Sequence, residues 1–447
     1  MLDWHLPVFE KDSIWRYSRL RTANDPEQGW KLHVSATILT AATVLEAVAP
    51  FLKSRAAFYK VPVSLHELKK LNAGIFYDYT QIGKFITIYP QTDEESVYFA
   101  EHLHQLTFKI ASPAIPFEAR LKPESCVFYR YGAFKINELK IADDTVVLAM
   151  RDEKGDLIPD VRETDAPPPA WAANPFPVEK KVAAADDSPL KKHFRIIRAL
   201  SQRGKGGVYQ ALDLRGANPR SCLLKEGRKN GETEWDGRDG FWRVRHERDV
   251  LKILQSANTG VPQIYSSFEA ENNFYLATEF IEGVNLHLFL KKRKRRLEIS
   301  RAIKFAVQLS EIISRIHAAG WLWRDCKPAN LIVTEAGELR PLDFEGACLI
   351  DRPDPTAWTT LTFNAENRDG EFLWQSSEAV DLYALGAIIF LLFEGELPVV
   401  TENEVPVISR KNVPAEIKRF VSDLLNPLNA KNLKAVEVER KLRKIQK

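Results

Sequence analysis

The chain has 447 residues, 45% of them hydrophobic and 28% charged, with 63 basic against 60 acidic side chains. That length suits two or three domains with sizeable cores, and the composition excludes a mainly disordered, collagen-like or coiled-coil chain. A net charge of +3 supplies no bulk field for nucleic acid or a membrane surface, so neither is expected as a partner.

Cys126, Cys222, Cys326 and Cys348 form no CxxC pair, which excludes a zinc ribbon and suits a reducing, cytoplasmic compartment. The start of the sequence carries no basic-then-apolar signal. The longest apolar run, ALGAIIFLLF at 384–393, falls well short of the ~20 residues of a membrane span and reads as a buried helix.

In chain order, 31–37 reads as a strand and 39–52 as a helix with Pro50 near its end. Strands follow at 83–89 and 125–131. Proline clusters at 165–177 and 183–189 mark a linker over 163–190. This leaves domains at 1–162 and 191–447. The second begins with strands at 194–200, 208–212, 222–225 and 274–278, then turns helical after Leu286. The expected class is α+β, with a two-lobed second domain.

The densest chemistry is WRDCKPAN at 323–330, followed by LDFEG at 342–346. Phosphoryl transfer needs a carboxylate near the acceptor, a cation at the moving phosphate and oxygen ligands for Mg²⁺. Asp325 can take the hydroxyl proton and Lys327 can neutralise the γ-phosphate. Asn330 and Asp343 offer the hard oxygens that Mg²⁺ prefers.

These runs resemble the catalytic loop and metal-binding motif of protein kinases. Trp323 stands at the usual His, and Glu345 at the usual Gly after Asp-Phe. The other parts follow in order. SQRGKGGVY at 201–209 fits a phosphate-covering hairpin, with Gly204, Gly206 and Gly207 allowing close backbone approach. Only Gly206 falls on the kinase glycine pattern. Lys225 in CLLK matches the ATP lysine, with Glu247 as its helical partner. Glu279 and Ile281 lie in a hinge-like run facing adenine. Asp381 opens a segment resembling the helix that anchors the catalytic loop. No Ala-Pro-Glu signature lies between Asp343 and Asp381. The resemblance implies MgATP or MgGTP and a competent kinase.

The first domain carries Lys31 and His33, whose spacing puts both on one face of a strand. Lys60, Lys84 and Arg130 extend the set. Cations inside apolar strands are costly unless an anion sits among them, and a phosphorylated substrate would supply one. Lys-x-His, a lysine 27 residues after His33, GKFITIYP at 83–90 and YRYG at 129–132 resemble the phospho-Ser/Thr lyase domain of class III and IV lanthipeptide synthetases. In that family it lies directly before a kinase domain. The resemblance implies a phosphothreonine-lyase-like domain followed by a protein-kinase-like domain. In it Lys60 is the base, His33 the acid, Lys31 the polariser of the amide carbonyl, and Lys84 and Arg130 the phosphate ligands.

YDYTQI at 77–82 stands where family members often carry an arginine. Family members also carry a third, cyclase domain. None is expected here, because the helical lobe takes the stretch after Asp381 and no cysteine follows Cys348. The resemblance therefore implies a peptide dehydratase acting on a Ser/Thr-containing precursor peptide, with any ring closure left to a separate protein. The alternative is a kinase whose first domain only binds phosphopeptide. The basic run at 291–296 reads as a solvated loop face, with an acidic leader peptide as its other reading.

Overall fold

The structure is a computed structural model. It describes all residues except 1–5, 7, 10–12, 142–143, 164–166, 178–187, 294–295, 355–376, 400–404, 431 and 447. The segment that lacks an Ala-Pro-Glu signature, the second proline cluster and the middle of the basic run thus lie largely outside the described residues.

The described residues form two compact units. One comprises residues 1–219, 225–242 and 268–275, the other 220–224, 243–267 and 276–447.

The first unit is built on a seven-stranded sheet. Its strands are β1 (Val8–Phe9), β2 (Trp15–Tyr17), β3 (Gln28–Ser35), β4 (Tyr59–Pro62), β5 (Lys84–Ile88), β6 (Ala119–Arg120) and β7 (Val127–Ala133), in spatial order β1-β2-β4-β5-β3-β7-β6. Between them run α1 (Ala41–Ser54), α2 (Leu65–Ala73) and α3 (Asp93–Thr107).

Local chemistry sets the helix ends. Ser64 accepts from the Glu67 amide at 3.2 Å to cap α2, and Gly74 closes it in the left-handed region at φ 65°. Thr92 caps α3, whose first turn holds Asp93, Glu94 and Glu95 against the positive helix end.

Side chains alternate across each strand. Leu32, Val34, Ile86, Ile88 and Val127 therefore face Val44, Val48, Leu68, Phe99 and Leu103 of the helices in one core. The opposite face carries the charges treated below. A smaller sheet of β8 (Glu138–Lys140), β9 (Val146–Arg151) and β10 (Leu157–Pro159) follows. Phe176, from the first proline cluster, belongs to the same core. It stacks on Tyr129 at 3.9 Å and meets Trp30 edge-on at 5.5 Å.

After the short α4 (Pro189–His193), a second sheet has the order β11-β12-β13-β15-β14. Its strands are β11 (Phe194–Arg203), β12 (Gly206–Asp213), β13 (Arg220–Gly227), β14 (Ile264–Ala270) and β15 (Asn273–Glu279), with α5 (Gly240–Ser256) between β13 and β14. Strand pairs β16 (Val284–Asn285) to β20 (Cys348–Leu349) and the short α6 (Leu286–Lys291) lead into the helical region. There α7 (Ile299–Ala318) turns one apolar stripe inward. By contrast α8 (Ala379–Glu394) is buried almost all round, which accounts for the apolar run. A Cβ on Gly386 would lie 2.7 Å from the Leu424 Cβ, so glycine lets α8 approach α9 (Ala415–Leu425) closely. Among the described residues no helix is long and apolar enough to cross a membrane. The last helices are α10 (Pro427–Ala430) and α11 (Ala435–Gln446).

Candidate functional site

In the first unit the sheet register assembles the sequence-derived cations. Lys31 lies opposite Arg130, and His33 is flanked by Thr87 on one side and Phe128 on the other. Lys60 lies opposite Thr87 from the other edge of β5. Directly opposed residues share a face, so Lys31, His33, Lys60 and Arg130 stand together. Lys84 joins them through a bulge. The pairing steps from Val34–Ile86 to Ser35–Lys84, leaving Phe85 as an extra residue. Plain alternation would have put Lys84 on the Ile86 side, so the bulge re-aims it onto the charged face.

The anion that such a cluster needs is internal. Glu118 is 1% exposed in its side chain. It approaches His33 Nδ1 with Oε2 at 2.7 Å and Lys84 Nζ with Oε1 at 2.9 Å. Asp160 receives both terminal nitrogens of Arg130, NH1 at 3.4 Å, and Arg162 NH2 also at 3.4 Å. The two groups read as phosphate ligands are thus each matched by a buried carboxylate.

The electrostatics follow from burial. It drives the Lys31 ammonium well below its usual pKa, and the Arg130 charge adds to this. Burial also lowers Lys84, against the pull of Glu118. For His33, burial outweighs Glu118 and brings the pKa to about 3, so the ring is neutral at pH 7. Burial pushes the Glu118 carboxyl up, but His33 and Lys84 outweigh it and hold it far below the carboxylate range.

Lys31, Lys60, Tyr77, Asp160 and Arg162 line a cavity of about 350 Å³ in this unit. Lys60 Nζ sits over the Trp15 ring at 4.1 Å. Arg162 also reaches the Thr80 hydroxyl at 3.3 Å, and its Nε has no hydrogen-bond partner among the described residues. Glu118, Asp160 and Arg162 carried no role in the sequence reading. Arg162 adds a further cation to the cavity lined by Lys31 and Lys60.

The hairpin β11–β12 turns at Gly204 and Lys205. At Gly204 and Gly206 its close approaches are to protein backbone. The Gly204 amide donates to the Ala73 carbonyl at 3.0 Å, and a Cβ on Gly204 would sit 1.7 Å from the Asn72 carbonyl oxygen. A Cβ on Gly206 would sit 1.8 Å from the Glu226 carbonyl oxygen. Gly207 follows as the second residue of β12, and Lys225 lies half-buried on β13.

In the second unit the catalytic-loop residues converge. Lys327 Nζ lies 2.8 and 2.9 Å from the two Asp325 oxygens, and Asn330 Nδ2 donates to Asp325 Oδ2 at 2.8 Å. Asn330 thus spends its nitrogen on Asp325 and leaves its amide oxygen for a cation. Burial raises the Asp325 pKa to about 6, Lys327 opposing and Asp343 reinforcing.

The Asp343 carbonyl accepts from the Trp323 indole at 3.0 Å, and Trp323 stacks on Phe344 at 5.2 Å. The aromatic at the usual histidine position therefore ties the two motifs together. Arg324 and Asp343 hold φ values of 68° and 64°, the strained backbone often found at functional sites. Glu247 is buried on α5 and accepts the Phe344 amide at 3.1 Å. Glu279 pairs with Arg340 at 2.9 Å, and Ile281 follows β15, half-buried.

Residues 197–438 match the protein kinase domain family, which spans more than half of the chain. The chain belongs to the protein kinase family. In this kinase, residues 4–188 match a second family, described as the RamC N-terminal domain. The pair bears out the resemblance to class III or IV lanthipeptide synthetases.

The kinase is 28% identical over 393 residues to the probable SapB synthase of Streptomyces coelicolor, covering 85% of this chain and 41% of that protein. It is 26% identical over 207 residues to the probable serine/threonine-protein kinase PknB of Lactococcus lactis, 46% of this chain and 32% of that one. It is 30% identical over 154 residues to the serine/threonine-protein kinase AGC1-5 of Arabidopsis thaliana, 34% and 26% respectively. The chain thus spans less than half the length of the curated relatives it matches. A protein kinase domain implies ATP and Mg²⁺, and the hard oxygens of Asn330 and Asp343 fit Mg²⁺.

Proposed function

We propose that the chain is a peptide dehydratase working in two steps on Ser/Thr of a ribosomally made precursor peptide. In the first, Asp325 accepts the substrate hydroxyl proton and Lys327 neutralises the transferring phosphoryl group of ATP. Mg²⁺, held through Asn330 and Asp343, supplies charge neutralisation. Lys225 and the glycine hairpin hold the phosphates, while Glu279–Ile281 face the adenine. ATP is favoured over GTP because the kinase domain implies ATP.

In the second step the Lys60 amine takes the Cα proton. The pair of the broken Cα–H bond forms the Cα=Cβ bond as the Cβ–O bond to phosphate breaks, and His33 returns a proton to the leaving phosphate. Lys31 holds the charge developing on the amide oxygen, and Lys84 and Arg130 hold the phosphate. The arriving phosphate dianion raises the proton affinity of the buried His33 ring. The observation that carries the reading is the assembly of Lys31, His33, Lys60, Lys84 and Arg130 on one face of the sheet.

The test is mass spectrometry of a Ser/Thr peptide encoded beside the gene, incubated with the full chain and MgATP. Loss of water at each reacted residue supports the reading. Failure to lose water at any time sinks it. The setting is assigned to the cytoplasm.

A kinase with a merely phosphopeptide-binding first domain is the second reading. It is favoured by the carboxylates already paired with Lys84 and Arg130. It requires stable phosphopeptide as the end product and no effect of His33→Ala.

A further inference from the structure

We propose that Glu118 is the positioning residue of the elimination step, fixing the His33 ring with Nδ1 toward itself so that Nε2 is the nitrogen that meets the leaving phosphate. The inference rests on the lyase reading above and deepens it. The geometry is specific: Oε2 is 2.7 Å from Nδ1, and Oε1 is held by Lys84 at 2.9 Å. The Lys84 contact holds the second oxygen, so the carboxylate that faces the proposed acid is itself kept in place.

A neutral imidazole carries one N–H, and a carboxylate on Nδ1 places it there. Nε2 then receives and delivers the proton. Glu118 also stabilises the imidazolium through which that delivery passes.

The supporting segment is built for the purpose. Glu118 immediately precedes β6, which pairs with β7 at Ala119–Tyr129 and Arg120–Phe128. Just before it, Phe117 holds a left-handed φ of 63°, and its ring meets Tyr79 at 5.8 Å. The β6–β7 pairing anchors the backbone on the other side of Glu118. The charged groups facing His33 are Glu118, Lys84 of β5 and Lys31 of its own strand. Two of these are cations, so Glu118 supplies the opposing charge that an imidazolium needs.

The test uses the full chain and a synthetic phosphothreonine peptide, with elimination followed by phosphate release across pH. Wild type is expected to lose kcat on the alkaline side as His33 loses its proton. Glu118→Gln should lower kcat by at least about tenfold with KM little changed, and shift the alkaline limb about one unit or more to lower pH. Glu118→Asp should recover part of both effects. In a His33→Ala background, Glu118→Gln should cost nothing further.

An unshifted limb, an equal loss in the His33→Ala background, or faster elimination by Glu118→Gln would each overturn the proposal. The last outcome would make the carboxylate a plug in the phosphate pocket. Should Glu118→Gln fail to fold, ¹⁵N spectra of wild-type His33 decide, with the proton on Nδ1 expected and a neutral Nε2–H ring contradicting it. Absence of elimination by wild type removes the underlying reading and this inference together. Elimination with an unshifted limb removes this inference alone.

Discussion

His317 Nε2 lies 2.8 Å from Asp381 Oδ2, and both side chains are almost sealed from water. The same carboxylate accepts the Trp323 and Arg324 amides at 2.8 and 2.7 Å, so α7, α8 and the catalytic loop meet at one acid. His317 Nδ1 also faces Glu378 at 3.4 Å. Burial pulls the His317 pKa down, but Asp381 and Glu378 outweigh it and raise it to about 9.

Because the folded pKa exceeds the unfolded value, this stabilisation is fully present below about pH 6.5 and is lost as pH rises through 9. Urea midpoints of the full chain should therefore fall between pH 6.5 and 9.5 by the equivalent of up to about 3 kcal/mol. His317→Gln should flatten that slope. An unchanged slope in His317→Gln would remove the assignment.

Asp325 accepts from Lys327 on both carboxylate oxygens and from Asn330 on Oδ2. Asp325→Asn should reduce peptide phosphorylation by roughly 10²- to 10⁴-fold, with nucleotide affinity held within a few-fold. Radiolabel transfer and equilibrium nucleotide binding separate the two quantities. A comparable loss in both would mean that the substitution damaged the loop rather than the chemistry.

Gly204→Ala puts a methyl 1.7 Å from the Asn72 carbonyl oxygen, a backbone atom that cannot swing aside. The expected cost is about 1–3 kcal/mol, read as a shift in denaturant midpoint. Asn72 also bonds Ala36 and Gly83 through its side chain, each at 3.0 Å. Hydrogen exchange should therefore quicken at Gly83 as well as at Gly204. Quickening confined to the hairpin would show that Asn72 does not transmit the displacement.

Phe176→Ala empties a ring site between Tyr129 and Trp30, at an expected cost of about 3–5 kcal/mol. A chain ended at residue 162 should likewise expose those rings and lose stability relative to one ended at 177. Equal thermal midpoints for the two truncations would make this packing incidental.

The kinase motifs were legible because their chemistry is local. Asp325, Lys327 and Asn330 lie within six residues, so spacing alone brings them together. The strands bearing Lys31, His33 and Lys84 were legible from their β-branched runs, though the bulge that turns Lys84 was not, since one extra residue leaves no mark on composition. Glu118, Asp160 and Arg162 were hidden for another reason. Each reaches the cluster from a loop or strand end far along the chain, and a single carboxylate in a loop looks solvated until a fold buries it. Phe176 was masked by the prolines around it, which read as a spacer. At Gly204 the glycine signal was visible, but the surface it approaches was not.

The position of β3 between β5 and β7 has a consequence for how this domain can change over generations. Trp30, Leu32 and Val34 point to the core while Lys31 and His33 point away. Loss or gain of one codon within Gln28–Ser35 would exchange the two sets, sending charges into the hydrocarbon and leucine into the cavity, with two neighbouring strands misregistered at once. Substitutions can be absorbed there one at a time, but length cannot vary. Insertions and deletions in descendants of this gene should therefore gather outside that strand, as in the turn before Gln28.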